Sequence, residues 1–167
     1  VQEDTSYDEV SMRLEEAIEY ALANRFELVA GAEEVKLREE EVALKDNNYT
    51  PEMEKKKARY ALERAKLNYE DLKVQIQLSV RESYSQLIRA QSQITLLAGN
   101  VELAKRRLEI AEVRYNAGLS TTVELIEAQN ALSDAEAQAT AAIYDYNLAK
   151  ASFYRSIGKP PYKVSEM

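Results

Sequence analysis

The chain has 167 residues, 31% of them charged, with a net charge of −7, only four glycines and three prolines, and neither cysteine nor histidine. So few turn-forming residues argue against sheets and long loops. The negative net charge argues against nucleic-acid binding, because a protein that binds nucleic acid needs a basic face. Without histidine and cysteine, the commonest general base, the thiolate nucleophile and most transition-metal sites are excluded, so we predict an all-helical protein that is not an enzyme and has no metal site and no cofactor.

The first ten residues, VQEDTSYDEV, are polar and acidic and begin without methionine. Such a start is typical of a processed mature end or an excised domain, so residues 1–10 are predicted to be an N-terminal extension. No run of about eighteen consecutive apolar residues follows, and no membrane span is predicted. The absence of cysteine is compatible with an envelope or extracellular setting.

Two helices are predicted over residues 11–46 (helix A) and 51–117 (helix B), folded back on each other. Apolar residues recur at steps of three and four in both segments, and pairs such as Val35 with Leu62 and Leu28 with Tyr69 have residue numbers that add up to 97. One antiparallel register therefore fits both helices, with its turn in DNNYTPEM. Thr50 is predicted to cap helix B and Pro51 to be its first residue.

Helix B would be about 100 Å long if it is continuous. It contains Gly99, which costs about 1 kcal/mol in a helix but keeps the apolar pattern in phase. The basic cluster in its first turns is predicted to lie opposite the glutamates of helix A and to form ion pairs or solvated charges; the cluster is Lys55, Lys56, Lys57 and Arg59, opposite Glu39, Glu40 and Glu41.

The segment RYNAGLSTTVEL predicts a second tight turn. Gly118 can end helix B in the left-handed conformation, and Leu119 can fold back onto the last turn. Thr121 and Glu124 form a capping box that starts helix C, predicted over residues 121–157, with a C-terminal tail over residues 159–167. The apolar rows before and after this turn pair with residue numbers that add up to 239 or 240, for example Leu97 with Ala142.

These patterns predict an all-α fold of elongated antiparallel coiled-coil hairpins, with one very long central helix flanked by two helices of half its length. Residues 11–158 would form a single elongated domain. A second apolar row beside the main seam of helix B predicts lateral packing against another hairpin; it consists of Leu96, Leu103, Ile110 and Val113.

Three stretches of the sequence resemble a known family. The stretch RYNAGLSTTVELIEAQNALSDAEAQ, followed by YNLAKASFYRSIG, resembles the tip and returning helix of the outer-membrane efflux proteins, the TolC-type channels of tripartite efflux pumps and type I secretion systems. LEEAIEYALANRFEL is similar to the family's first helix, where a proline usually stands at the position of Phe26. The resemblance covers about residues 13–158 and corresponds to one repeat, without the barrel strands that the family inserts between helices A and B.

The resemblance implies a TolC-like α-barrel repeat that packs laterally into a helical tunnel. Its tip would dock a periplasmic adaptor (membrane-fusion protein), and through it an inner-membrane transporter, in the periplasm or another extracytoplasmic part of the cell envelope. The tip residues would be Arg114, Tyr115, Gly118, Leu119, Ser120 and Thr121. Because the family has two repeats per protomer and forms trimers, a homo-oligomer of six copies is a hypothesis from symmetry.

Two other interpretations compete with the channel component. A non-transport coiled-coil spacer or interaction protein, extracellular or periplasmic, would use the same helices only for reach. An enzyme is the weakest of the three, because the chain lacks the usual catalytic residue types and has no glycine-rich phosphate loop.

Overall fold

The computed structural model describes residues 10–160, and all regular structure in this range is helical. The helices are α1 (Leu14–Asn24), α2 (Phe26–Lys45), α3 (Glu52–Asn116) and α4 (Thr122–Ser156). The predicted all-α class and helical hairpins are confirmed. Nearly all of the predicted N-terminal extension and C-terminal tail lies outside the described residues.

Helix α3 is continuous over 65 residues. Gly99 lies inside it, and a Cβ added there would meet no atom within 4 Å. This glycine is therefore neither a break nor a site of close packing. Its backbone is held in the helix by the turns on either side.

The described residues fall into two compact units. The hairpin unit, residues 85–151, contains the second part of α3 and most of α4; Val10 is also assigned to it. The junction unit, residues 11–84 and 152–160, contains α1, α2, the first part of α3 and the end of α4.

The hairpin unit buries the positions that the heptad pattern predicts. Ile94 and Ala104 of α3 are 7% and 8% exposed, and Ala142 and Tyr146 of α4 are 3% and 0% exposed. A small residue on each helix lets the two axes approach closely, while a large one fills the seam beside it. The core of this unit is thus a narrow seam along two antiparallel helices.

The junction unit has a denser core where α4 ends. Phe153 and Val80 are fully buried, and the ring of Phe153 meets that of Tyr84 edge to face, with centroids 5.7 Å apart. Beside them the hydroxyls of Ser83 and Ser156 lie 2.7 Å apart in a hydrogen bond. Each hydroxyl is also within hydrogen-bond distance of a carbonyl of its own helix, so neither buried hydroxyl lacks a partner.

Helix A is not the single helix predicted over residues 11–46. It begins at Leu14 and breaks at Arg25, which has φ −69° and ψ 124° and so lies in the extended region. The Arg25 guanidinium donates to the backbone carbonyl of Ser156 at 2.8 Å and pairs with Glu27. This contact, 131 residues away in the sequence, stabilises the break.

The break predicts that proline is tolerated at position 26. Phe26 is the first residue of α2 and is 79% exposed, and Arg25 before it already has the extended backbone that a following proline requires. Phe26→Pro should stabilise the chain by about 0.4–1 kcal/mol, because proline lowers the entropy of the unfolded state. Urea unfolding followed by circular dichroism measures the change.

Leu37→Pro is the matched control for that experiment, since it places proline at an exposed position inside α2. It should destabilise by about 3 kcal/mol. A loss of stability in Phe26→Pro comparable to that of the control would contradict the assignment of the break.

The turn between α2 and α3 is organised by Asn47 and not by Thr50. The Asn47 side-chain oxygen accepts hydrogen bonds from the amides of Tyr49 and Thr50, both at 2.9 Å, and from the Thr50 hydroxyl at 3.1 Å. The Pro51 carbonyl accepts the first helical bond of α3, from Lys55. Thr50 is therefore not the cap. Pro51 occupies the N-cap position of α3, one residue before the first helical position predicted for it.

The basic cluster also pairs differently from the prediction. Lys55 and Lys57 pair with glutamates one turn earlier on α3, at 3.0 and 2.8 Å. Between the two antiparallel segments, Glu39 of α2 pairs with Lys66 at 2.7 Å, and Asp46, the residue after α2, lies 3.9 Å from Arg59. These two lysines pair within α3 because side chains three residues apart on a helix are neighbours.

Candidate functional site: the α3–α4 tip

The tip of the hairpin unit is a Schellman turn. Gly118 has φ +71°, its amide donates to the carbonyl of Tyr115 at 2.9 Å, and the Leu119 amide donates to the carbonyl of Arg114 at 2.8 Å. A side chain at position 118 would be strained in this conformation. The prediction that Gly118 ends the helix is confirmed.

The start of α4 is capped by side chains from the tip. The Thr121 hydroxyl accepts a hydrogen bond from the Glu124 amide at 3.3 Å, as the capping box predicts. The Ser120 hydroxyl donates to the Glu124 carboxylate and, with a smaller contribution from the Thr121 backbone, lowers the pKa of Glu124. Arg114 acts in the same direction, so the tip holds an ionised carboxylate at the positive end of α4.

The hydrogen bond from Ser120 to Glu124 was not predicted from the sequence. A glutamate four residues after a serine, next to a threonine cap, is the signal that could have suggested it. The consequence is a tip whose backbone is held from both sides, by the Schellman bonds of α3 and by the capping bonds of α4.

The prediction that Leu119 folds back onto the last turn of α3 is wrong. Its side chain is 71% exposed. The Schellman hydrogen bonds involve only the backbone, so they place Leu119 at the turn without requiring it to pack. Because Leu119 is exposed, a partner protein can bury it. Full burial of a leucine side chain would contribute about 1.5–3 kcal/mol to the free energy of binding.

Other exposed apolar side chains lie on the last turn of α3 and the first turns of α4. Val113 on α3 and Val123 on α4 are 69% and 63% exposed, and Ile126 is 48% exposed. On α3, Glu109, Ile110, Val113 and Arg114 line a shallow open depression. The exposure of Val123 and Ile126 was not predicted. Their positions outside the predicted apolar seam of α4 could have indicated it.

The predicted lateral row is on the surface of α3. Leu96, Leu103 and Ile110 recur at seven-residue steps and are 60%, 55% and 60% exposed. Residues seven apart lie on nearly the same face of a helix, so these three form one apolar edge. Val113 extends the edge to the tip.

Within residues 10–160, no group of three or more acidic side chains is arranged to hold a metal ion. None of the described helices combines the length and the apolar character that crossing a membrane demands.

The family comparison covers both helices of the hairpin unit. The outer membrane efflux protein family matches residues 53–159, which include nearly all of α3 and the whole of α4. A comparison with curated proteins finds no match. The match covers more than half of the chain and includes the tip and both helices that carry it. The chain therefore belongs to the outer membrane efflux protein family.

Proposed function

We propose that this chain is an efflux channel component of the cell envelope whose α3–α4 tip docks the helical hairpin of a periplasmic adaptor. Membership of the family supports the role in efflux. The observation that carries the docking is the exposure of Leu119 on a turn fixed by hydrogen bonds. Through the adaptor the chain would work with an inner-membrane transporter.

The tip has the properties of a small protein-binding surface. Its backbone is held before binding, so little conformational entropy is lost when a partner docks. Leu119 is the exposed apolar side chain of the turn itself, Val113 and Val123 are exposed on the adjoining turns of α3 and α4, and Arg114 and Glu124 add charges of opposite sign. Tyr115, Ser120 and Thr121 complete the proposed contact surface. An apolar centre with a polar rim is the usual arrangement of an interface hot spot.

Lateral association is the second part of the proposal. The exposed apolar edge of α3, with Leu96, Leu103, Ile110 and Val113, would pack against another copy. Repeated around a closed ring, such contacts would build a helical tunnel, for which six copies are the hypothesis.

Leu119→Asp tests the docking. It should weaken binding to the α-helical hairpin of a TolC-type adaptor by at least about tenfold, because a hot-spot leucine is replaced by a charge that must be desolvated. Isothermal titration calorimetry measures the affinity, and circular dichroism checks that helicity is unchanged.

Leu37→Asp is the control, because Leu37 is 56% exposed on α2, outside the hairpin unit. It should bind the adaptor hairpin as the wild type does. Equal binding by Leu119→Asp and the wild type would refute the assignment of the tip.

A further inference from the structure

The turn between α2 and α3 exposes three large apolar side chains. Tyr49 is 97% exposed, while Leu44 in the last turn of α2 and Met53 in the first turn of α3 are 79% and 66% exposed. All three lie in the segment 44–53, which we call the α2–α3 tip. Exposed apolar side chains grouped in this way are typical of a surface that contacts a protein or a membrane.

The backbone of the α2–α3 tip is held by one side chain. The Asn47 side chain accepts hydrogen bonds from the amides of Tyr49 and Thr50 and donates one to the carbonyl of Leu44 at 2.9 Å. These bonds tie the turn to the end of α2 while the side chain of Tyr49 stays in solvent. Because the turn is ordered before any partner arrives, little conformational entropy is lost on binding.

Basic side chains follow the apolar ones along α3. The basic cluster, within residues 55–59, begins three residues after Glu52, the first residue of α3. With a rise of about 1.5 Å per residue, its side chains start about 5–10 Å beyond the beginning of the helix. The headgroup layer on one side of a bilayer is about 5–8 Å thick. An apolar end followed by cations at this height therefore matches the layers of a membrane surface.

The charges around the α2–α3 tip favour an anionic partner. The three carboxylates nearest the turn each have a basic partner within 4 Å; the pairs are Asp46 with Arg59, Glu52 with Lys55 and Glu54 with Lys57. Lys56 is exposed and has no ion-pair partner among residues 10–160.

The net charge of this end also differs in sign from that of the remaining chain. Residues 36–66 contain nine basic and seven acidic side chains, a net charge of +2, whereas the whole chain has −7. The other residues therefore carry −7 minus +2, which is −9. A negative surface thus repels most of the chain and attracts it only at this end.

A lipid surface accounts for these features together. Tyrosine is enriched where a membrane meets water, because its ring is apolar and its hydroxyl is polar. Lysine and arginine extend their apolar stems along such a boundary and keep their charges among the headgroups. A protein partner would not require apolar and basic residues to follow one another along a helix axis.

We propose that the α2–α3 tip binds the surface of an anionic lipid bilayer. Tyr49, Leu44 and Met53 then lie at the boundary between headgroups and acyl chains, and the basic cluster lies among the lipid phosphates. The proposal goes beyond adaptor docking and lateral packing and does not depend on either. Because cations contribute to the contact, salt should weaken it.

Tryptophan fluorescence tests the insertion, because the chain has no tryptophan of its own. The emission of Tyr49→Trp should shift to shorter wavelength when vesicles of phosphatidylcholine and phosphatidylglycerol are added, since the indole leaves water. Tyr144→Trp is the control; Tyr144 is 60% exposed on α4 in the hairpin unit, and its variant should show no shift. Vesicles of phosphatidylcholine alone should bind at least about tenfold more weakly.

Each other outcome of this titration contradicts the proposal. No shift in Tyr49→Trp, or equal shifts in the two variants, would show that the tip does not enter the lipid surface. Equal binding to neutral vesicles would remove the requirement for anionic lipid. A shift of Tyr49→Trp that appears without vesicles as protein concentration rises would place a second copy of the chain on the tip instead.

Charge reversal tests the basic cluster. Lys56→Glu with Lys57→Glu should weaken co-sedimentation with the same anionic vesicles at least about tenfold. Arg106→Glu with Arg107→Glu is the matched control, since it makes the same change in net charge within the hairpin unit and also removes one paired cation, Arg106, as Lys57 is removed at the tip. At physiological salt, distant charges are screened, so the control should bind as the wild type does. Equal losses in the two double variants would overturn the assignment of binding to the tip.

Discussion

Replacing Phe153 with alanine is expected to lower the free energy of unfolding by about 3–5 kcal/mol. The ring is fully buried and touches two other rings, those of Tyr84 and Tyr154, with centroids 5.7 and 5.8 Å away. Truncation removes the buried apolar area and leaves a cavity that continuous helices can fill only partly. The edge-to-face contact with Tyr84 adds about 0.5–1.5 kcal/mol to what burial alone provides.

Urea unfolding followed by circular dichroism measures this loss. Leu148→Ala is the matched control, because it truncates a large apolar residue of the same helix that is 69% exposed, and it should change stability by no more than about 0.5 kcal/mol. Similar values for the two variants would show that Phe153 does not anchor the junction unit.

Replacing Arg25 with methionine is the second large expected effect, a loss of about 1.5–3 kcal/mol, the range for hydrogen bonds to charged groups. The Arg25 side chain is 20% exposed. Its guanidinium donates hydrogen bonds to the carbonyl of Ser156 and to both carboxylate oxygens of Glu27. It also lies against Gly158, whose φ of +78° ends α4. Methionine keeps much of the packing but leaves the carbonyl of Ser156 without this donor.

Arg25→Lys should retain part of the stability, since lysine keeps the charge but cannot engage the glutamate and the carbonyl together. Arg59→Met removes an exposed arginine that lies 3.9 Å from its partner and should change little, within about 1 kcal/mol. Amide exchange near Gly158 locates the effect. If Arg25→Met behaves like Arg59→Met, the α1–α2 break is not held by this side chain.

The effect of Arg25 also depends on pH. Its hydrogen bonds to Glu27 lower the pKa of that carboxyl in the folded chain. A lowered folded pKa favours the ionised form, so the contribution is present above the unfolded pKa of glutamate and is lost as pH falls through the folded value. Since Glu27 is half exposed, solvent screens much of this contribution.

The local features of the tip were predictable from the sequence. Gly118 and Thr121 act through their own backbone and hydroxyl on residues within five positions, and such interactions leave a clear pattern in sequence. The heptad rows similarly predicted the buried faces of α3 and α4, because helical periodicity links sequence spacing directly to a face. The family resemblance of this stretch is confirmed by the match over residues 53–159.

The exposure of Leu119 was not predictable in this way. A Schellman turn permits the residue after glycine either to pack or to project, and the choice depends on the surrounding side chains. The sequence pattern predicted a packed leucine, whereas the side chain of Leu119 projects into solvent. That difference supports the docking proposal, because a packed Leu119 would offer a partner little surface.

The long helices α3 and α4, the positions of the two turns and the pairing of the helices were predictable from short-range periodicity and capping, because neighbouring residues act on one another directly. The break at Arg25 came from a contact with Ser156, far along the chain, and the ion pairs between α2 and α3 came from how side chains met after the helices had packed. Spacing along a chain contains no signal for such contacts, because the partners become neighbours only once the core has brought them together.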